Sequence, residues 1–283
     1  MQKRRNRRRI HHMAGLLQKQ LRILIVAVPL IVVALLVILL RPANQLLNTP
    51  ELLRAQRLGV LRVGVRTDVP GFSQNGEGLE IAIAREVAKR IFPDLSADVA
   101  LELTPVTAYT ALPKLNSGEI DLALAQISDT SDSQYAYTGA YFRDTVRLVC
   151  RKGDERASLA GGVVGVIEGS AAERAWKAFA QKQEYYSTEG FKYYASYPDL
   201  VTALKAGKIS YIAACGAQLP KLLAEGLSLH ETPIGSVEYV AAAYADSSAF
   251  AMMADTVIQD MEADGSLQAL IAQYGLRAYQ AQD

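Results

Sequence analysis

The chain reads as an α/β protein: two similar units in series, preceded by one N-terminal transmembrane helix. Three observations predict this. An apolar run of about 18 residues, Ile23–Leu40, follows a basic N-terminus and matches the span of a bilayer core. Beyond it, short apolar strands alternate with amphipathic helices. One helix–glycine–strand pattern also occurs twice, as LPKLNSGEIDLALAQ (Leu112–Gln126) and LVTALKAGKISYIAAC (Leu200–Cys215).

The N-terminus sets topology. Residues 1–40 hold Lys3, Arg4, Arg5, Arg7, Arg8, Arg9, Lys19 and Arg22 and no acid, which leaves 22 basic residues against 29 acidic ones in residues 41–283. The remainder is therefore mildly acidic and a poor nucleic-acid surface. Leu21 extends the apolar run, Arg22 lies near the end where its stem can snorkel, and Pro29 is tolerable in a membrane helix. The basic cluster predicts an N-terminus inside and the rest outside the cytoplasm. Residues 1–20 are thus expected as a basic cytoplasmic tail, 21–40 as a signal anchor and 41–57 as a linker. The alternative is a cleaved signal peptide, which has a shorter core and a small-residue cleavage site. Arg41-Pro42-Ala43-Asn44 fits such a site poorly, and no Cys follows closely enough for lipid attachment.

The elements follow in order. Asn48-Thr49-Pro50-Glu51 resembles a helix start, with Thr49 as cap and Pro50 in the first turn, and Gly59 stops that helix. Val60–Val65 reads as a strand, and Leu79–Ile91 as a helix with Ile81, Ala84, Val87, Ala88 and Ile91 on one face. Then come strand Ala100–Pro105, helix Ala111–Ser117 and strand Ile120–Ala125, which is apolar on both faces as a buried parallel strand should be. The second unit reads strand Val146–Arg151, strand Val163–Ile167, helix Ala171–Gln181, strand Phe191–Ala195, helix Tyr197–Ala206 and strand Ile209–Cys215. A strand at Glu238–Tyr244 and two helices close the chain, one from about Ser248 to Ala263 and one capped by Ser266 and ending near Tyr274.

The residue types exclude several chemistries. His230 is the only histidine beyond the N-terminal tail, so no Ser-His-Asp or Cys-His set is built. AGGVVG (Ala160–Gly165) enters a strand rather than following one, unlike a dinucleotide loop. Cys150 and Cys215 lack metal-ligand spacing and read as small buried residues, though an outward-facing domain could oxidise them. No enzyme activity, metal or cofactor is expected.

Seven stretches in order carry a resemblance. They are GVLRVGVRTDVPGF (Gly59–Phe72), GLEIAIAREVAKRI (Gly78–Ile91), LPKLNSGEIDLALA (Leu112–Ala125), TGAYF (Thr138–Phe142), SLAGGVVGVIEGSAAE (Ser158–Glu173), ALKAGKISYIAA (Ala203–Ala214) and EADGSLQALIAQYGL (Glu262–Leu276). Together they resemble the extracellular solute-binding proteins of family 3, which have the type 2 periplasmic-binding-protein fold. The resemblance implies lobe 1 at 58–145 and 240–283, lobe 2 at 146–239, and a hinge at the two crossings. It also implies a cleft at the strand ends that closes on a small-molecule solute, and an ABC permease as partner.

The resemblance assigns positions as well. Amino-acid binders of the family hold the ligand carboxylate with an arginine in the loop after the third strand; here that position is Ser131 or Ser133. They hold the ammonium with an aspartate at the end of lobe 2's third strand; here it is Cys215. The first strand ends on Arg66 rather than an acid, and Val69 replaces a stacking aromatic, leaving Phe72. The expected ligand is therefore not an ordinary α-amino acid, or is held differently. Arg66 either holds an anion or pairs with Asp68 or Glu80. Gly169-Ser170 opens a helix whose N-terminus suits an anionic or carbonyl group, with Ser170 as its cap. Gln126, Ser128 and Asp129 are placed to offer lobe 1 contacts; Asp129 meets a cation or simply faces solvent. Tyr109 and Tyr135 are candidate stacking residues, and Tyr141 suits the hinge. The functional readings are an importer's binding component, a tethered sensor or assembly protein with a degenerate cleft, and, last, a dehydratase-like enzyme of the same fold.

Overall fold

A computed structural model of the protein describes residues 48–107, 109–183 and 190–281. The basic tail and the apolar segment at 21–40 lie outside them. Among the described residues no helix is long and apolar enough to cross a membrane.

Helix α1 (Pro50–Leu58) starts at Thr49 and ends at Gly59, whose left-handed φ of 71° lets its N–H reach the Ala55 carbonyl at 2.9 Å. Strand β1 (Leu61–Val65) leads to α2 (Leu79–Ile91), which buries the predicted apolar face. A short helix α3 (Ala97–Ala100), not expected from the sequence, precedes β2 (Leu101–Pro105). Then come α4 (Ala111–Asn116) and β3 (Leu122–Ile127). Strand β3 starts two residues later than expected. Ile120 is a buried plug against β1 instead, and Asp121 is fixed by the Arg62 guanidinium at 2.6 and 3.0 Å.

The second unit holds β5 (Val164–Ile167), α5 (Ala171–Lys182), β6 (Phe191–Tyr194), α6 (Tyr197–Lys205), β7 (Tyr211–Cys215) and a short helix α7 (Leu219–Ala224). Two strands are far longer than the sequence suggests: β4 (Tyr135–Cys150) and β8 (Ser228–Tyr244). Helices α8 (Ala249–Ala263) and α9 (Ser266–Gln273) follow. Ser266 is the first residue of α9 rather than its cap; Asp264 Oδ1 accepts its N–H at 2.8 Å.

All eight strands form one sheet, ordered β2-β1-β3-β8-β4-β7-β5-β6. The two halves mirror each other. In each, the first strand is central and pairs in parallel with the second and third, and the third then pairs antiparallel with a long strand. This is the two-lobed α/β arrangement, and β4 and β8, antiparallel to each other, run through both lobes as the connection. The packing repeats too. Gly64 in β1 leaves room for Ile120, whose Cδ1 would stand 2.5 Å from an added Cβ; Gly165 in β5 does the same for Ile209. The C-terminal segment then pairs with the connection. Thr145 donates to the Tyr279 carbonyl at 3.0 Å and Ala281 to the Arg143 carbonyl at 2.9 Å.

Candidate functional site

The cleft lies where the parallel strands of both lobes end, the usual place for a ligand in an open α/β sheet. Its walls include Arg66 after β1, Gln126 and Ser128 at the end of β3, Gly169, Ser170 and Arg174 at the start of α5, Cys215 at the end of β7 and Gln218 after it. The space between them is small, about 80 Å³. The lobes already touch across it. Lys221 donates to the Asp68 carbonyl at 2.7 Å, and the Tyr109 ring stands 3.6 Å from where a Cβ on Gly169 would be.

On the lobe 1 side, Arg66 is committed. Its Nε and Nη2 donate to the two Asp68 oxygens at 3.0 and 2.9 Å, and Nη1 donates to Gln126 Oε1 at 3.2 Å. Burial works against the Arg66 charge, but Asp68 more than offsets it, so the guanidinium holds its proton more tightly than usual. Gln126 has a left-handed φ of 55°, a conformation that side-chain-bearing residues seldom adopt and that clusters at functional sites. Glu80 holds it there by accepting its N–H at 2.8 Å. Glu80 is fully buried and also accepts the Tyr141 hydroxyl; its other oxygen faces Ser73. Burial pushes this carboxyl up to about 7.

The lobe 2 side repeats the device. Asp144, on β4 and fully buried, accepts the Gly216 N–H at 3.0 Å and the Tyr239 hydroxyl at 2.9 Å. Burial pushes it, too, to about 7. Beside it burial pushes the Cys215 thiol up to about 12, so it presents no charge to the cleft. Cys150 and Cys215 are both free thiols. The start of α5 is a variant of the capping box, in which the glutamate reaches one residue beyond the cap. Ser170 Oγ accepts the Glu173 N–H at 3.1 Å, and Glu173 Oε2 accepts the Gly169 N–H at 2.6 Å. One helix-terminal donor is thereby used by the protein itself.

Arg174 differs from Arg66. It donates to the Gly169 carbonyl at 3.0 Å and makes no ion pair with a carboxylate among the described residues. Burial lowers its pKa below that of an ordinary arginine. Three further polar groups on the cleft wall are buried and find no partner among the described residues: Gln126 Nε2, Ser128 Oγ and Gln218 Nε2.

Of the residues singled out in the sequence, Arg66, Gln126, Ser128, Gly169, Ser170 and Cys215 meet at the cleft. Asp68 stands behind Arg66, and Tyr109 stands at the rim. Phe72 lies in the core with its ring edge-on to Phe142 and Tyr239, at 5.1 and 5.7 Å. Asp129 and Ser131 face solvent, where Asp129 Oδ1 accepts the Ser131 N–H at 2.6 Å. Arg174, Gln218, Tyr197 and Tyr239 line the cleft without having been singled out for it. Ser170-x-x-Glu173 was a legible capping signal; Gln218 had none.

Known proteins share this pattern. The profile of the bacterial extracellular solute-binding proteins, family 3, matches residues 61–277. The chain is 28% identical over 173 residues to the glutamine-binding protein of Geobacillus stearothermophilus, and that match spans 57% of this chain and 63% of its relative. It is 26% identical over 216 residues to the ABC transporter glutamine-binding protein of Bacillus subtilis, with 71% and 76% covered. Among solved structures it resembles the solute receptor for L-cysteine of Neisseria gonorrhoeae, with a TM-score of 0.66 and 23% identity over 81% of this chain and 94% of that one. That likeness is one of fold.

Proposed function

Since the chain belongs to the bacterial extracellular solute-binding proteins, family 3, we propose that it captures a small polar solute outside the cytoplasm and hands it to an ABC-type importer. The observation that carries this reading is the cleft wall. Buried polar side chains from both lobes meet there and have no partner among the described residues. An unpartnered buried donor costs free energy, and a solute that completes it recovers that cost. Lobe 1 at 58–145 with 240–283 and lobe 2 at 146–239 would then close by bending β4 and β8. We assign no catalytic step to the site. Residues 21–40 would tether the domain to the membrane, with the basic tail inside.

Relatives named as glutamine-binding proteins make amino acids one solute class to test. The rival reading, a tethered sensor or assembly protein with a silent cleft, draws on one fact: Arg66 is already held by Asp68. Thermal shift against a solute library separates the two. A solute at 100 times its Kd should stabilise the protein by about 2.7 kcal/mol. A melting temperature that no solute class moves supports the silent cleft.

A further inference from the structure

Accepting that the cleft binds a solute, we propose that the solute is a small organic acid carrying no ammonium group, with its carboxylate on Arg174. Three observations lead there. First, no Asp or Glu lines the cavity among the described residues, so an ammonium would enter without a charged acceptor. The surrounding acids lie behind the wall and are engaged: Asp68 by Arg66, Glu173 by the Gly169 N–H and Lys177, Asp144 by the Gly216 N–H and Tyr239, and one oxygen of Glu80 by the Gln126 N–H and Tyr141. Cys215, a neutral thiol, supplies no negative charge.

Second, one cation on the wall is uncompensated. Arg66 is offset by Asp68, whereas among the described residues Arg174 is held only by the Gly169 carbonyl. A guanidinium with free N–H groups in a narrow, partly desolvated space favours a carboxylate. Third, the remaining unpartnered groups suit oxygen acceptors. Gln126 is fixed by its own bond: its Oε1 accepts from Arg66, so its Nε2 is what faces the cavity. Ser128 Oγ and Gln218 Nε2 join it, and Gln218 is only 5% exposed. One carboxylate on Arg174 and further oxygens (a keto group, a hydroxyl or a second carboxylate) on these three residues satisfy the wall. An α-ammonium does not.

The test is isothermal titration with pairs that differ only at the amino carbon: pyruvate against L-alanine, 2-oxoglutarate against L-glutamate, and succinate against L-aspartate. In at least one pair the acid without nitrogen should bind about ten-fold tighter or more. Arg174→Gln should weaken that acid by at least about ten-fold, while the ligand-free melting temperature stays close to that of the unaltered protein and Arg174→Lys restores part of the affinity. If an amino acid binds as tightly as or tighter than its partner, the proposal falls while the solute-binding reading stands. If none of these acids and none of the 20 amino acids binds, both fall.

Discussion

The two lobes use one structural device and aim it differently. In lobe 1 a buried carboxyl, Glu80, takes a tyrosine hydroxyl and the backbone N–H at the end of the third strand. On the lobe 2 side Asp144, reaching across from the β4 crossing, does the same for the N–H just after Cys215. Both carboxyls are pushed by burial to about 7. Yet lobe 1 ends in an arginine already neutralised by its own aspartate, and lobe 2 ends in one that is not. The scaffold that positions the cleft backbone is thus duplicated, while the charge offered to a ligand is not. Such an arrangement lets recognition drift while the frame is kept.

The largest expected effect tests whether the frame depends on both carboxyls. Asp144→Ala strands the Gly216 N–H and the Tyr239 hydroxyl in a dry interior and opens a void. It should cost on the order of 4 kcal/mol in denaturant unfolding. A loss below about 1 kcal/mol would show that the lobe 2 device is ornamental.

Next is pH. Glu80 rises from 4.5 in the unfolded chain to about 7 in the fold, so the folded state binds its proton more tightly. Its contribution is fully present below about 4.5 and is lost as pH climbs to about 7, a change of about 3 kcal/mol. Glu80→Gln cannot titrate. The stability difference between the two proteins should therefore shift toward the variant by about that amount between pH 4.5 and 7. Parallel pH profiles would remove Glu80 from the account.

A twin substitution then compares the repeated glycines. An added Cβ at Gly165 meets Ile209 and Leu200 at 2.5 Å each, whereas at Gly64 it meets Ile120 at 2.5 Å and Val106 at 3.1 Å. Both alanine variants should lose about 1–3 kcal/mol by overpacking, Gly165→Ala more than Gly64→Ala. The reverse order in thermal melts would mean lobe 1 packs more rigidly. The smallest effect is local. Ser170→Ala removes the cap of α5 and should cost about 1 kcal/mol. Circular dichroism melts that do not move would place the stability of that helix terminus in Glu173 alone.

Much of this frame was legible in the sequence. Periodicity located α2 and α5 to within a residue, and the paired SGEI and AGKI segments marked both buried isoleucines. The connection was not legible. Strands β4 and β8 carry Arg143, Asp144 and Thr145, and Glu231, Thr232 and Pro233, which break any apolar alternation. Their pairing is between distant segments, which local pattern does not report. At the cleft, Arg66 and Gln126 were found because they end strands. Arg174 was missed because it sits one turn into an amphipathic helix, where an arginine reads as solvent-facing. Phe72 follows the first strand closely enough to suggest a place in the cleft, but its ring packs edge-on against Phe142 and Tyr239. Local sequence does not distinguish an aromatic on the floor of a cleft from one just beneath it.

The pairing of Tyr279 and Ala281 with Arg143 and Thr145 ties the C-terminal segment to β4, one of the two strands that connect the lobes. A fluorophore attached near Ala281 would sit beside β4, the strand that the proposed closure bends. The molecule therefore comes with an attachment point for an optical sensor on the segment that pairs with the connection between its lobes.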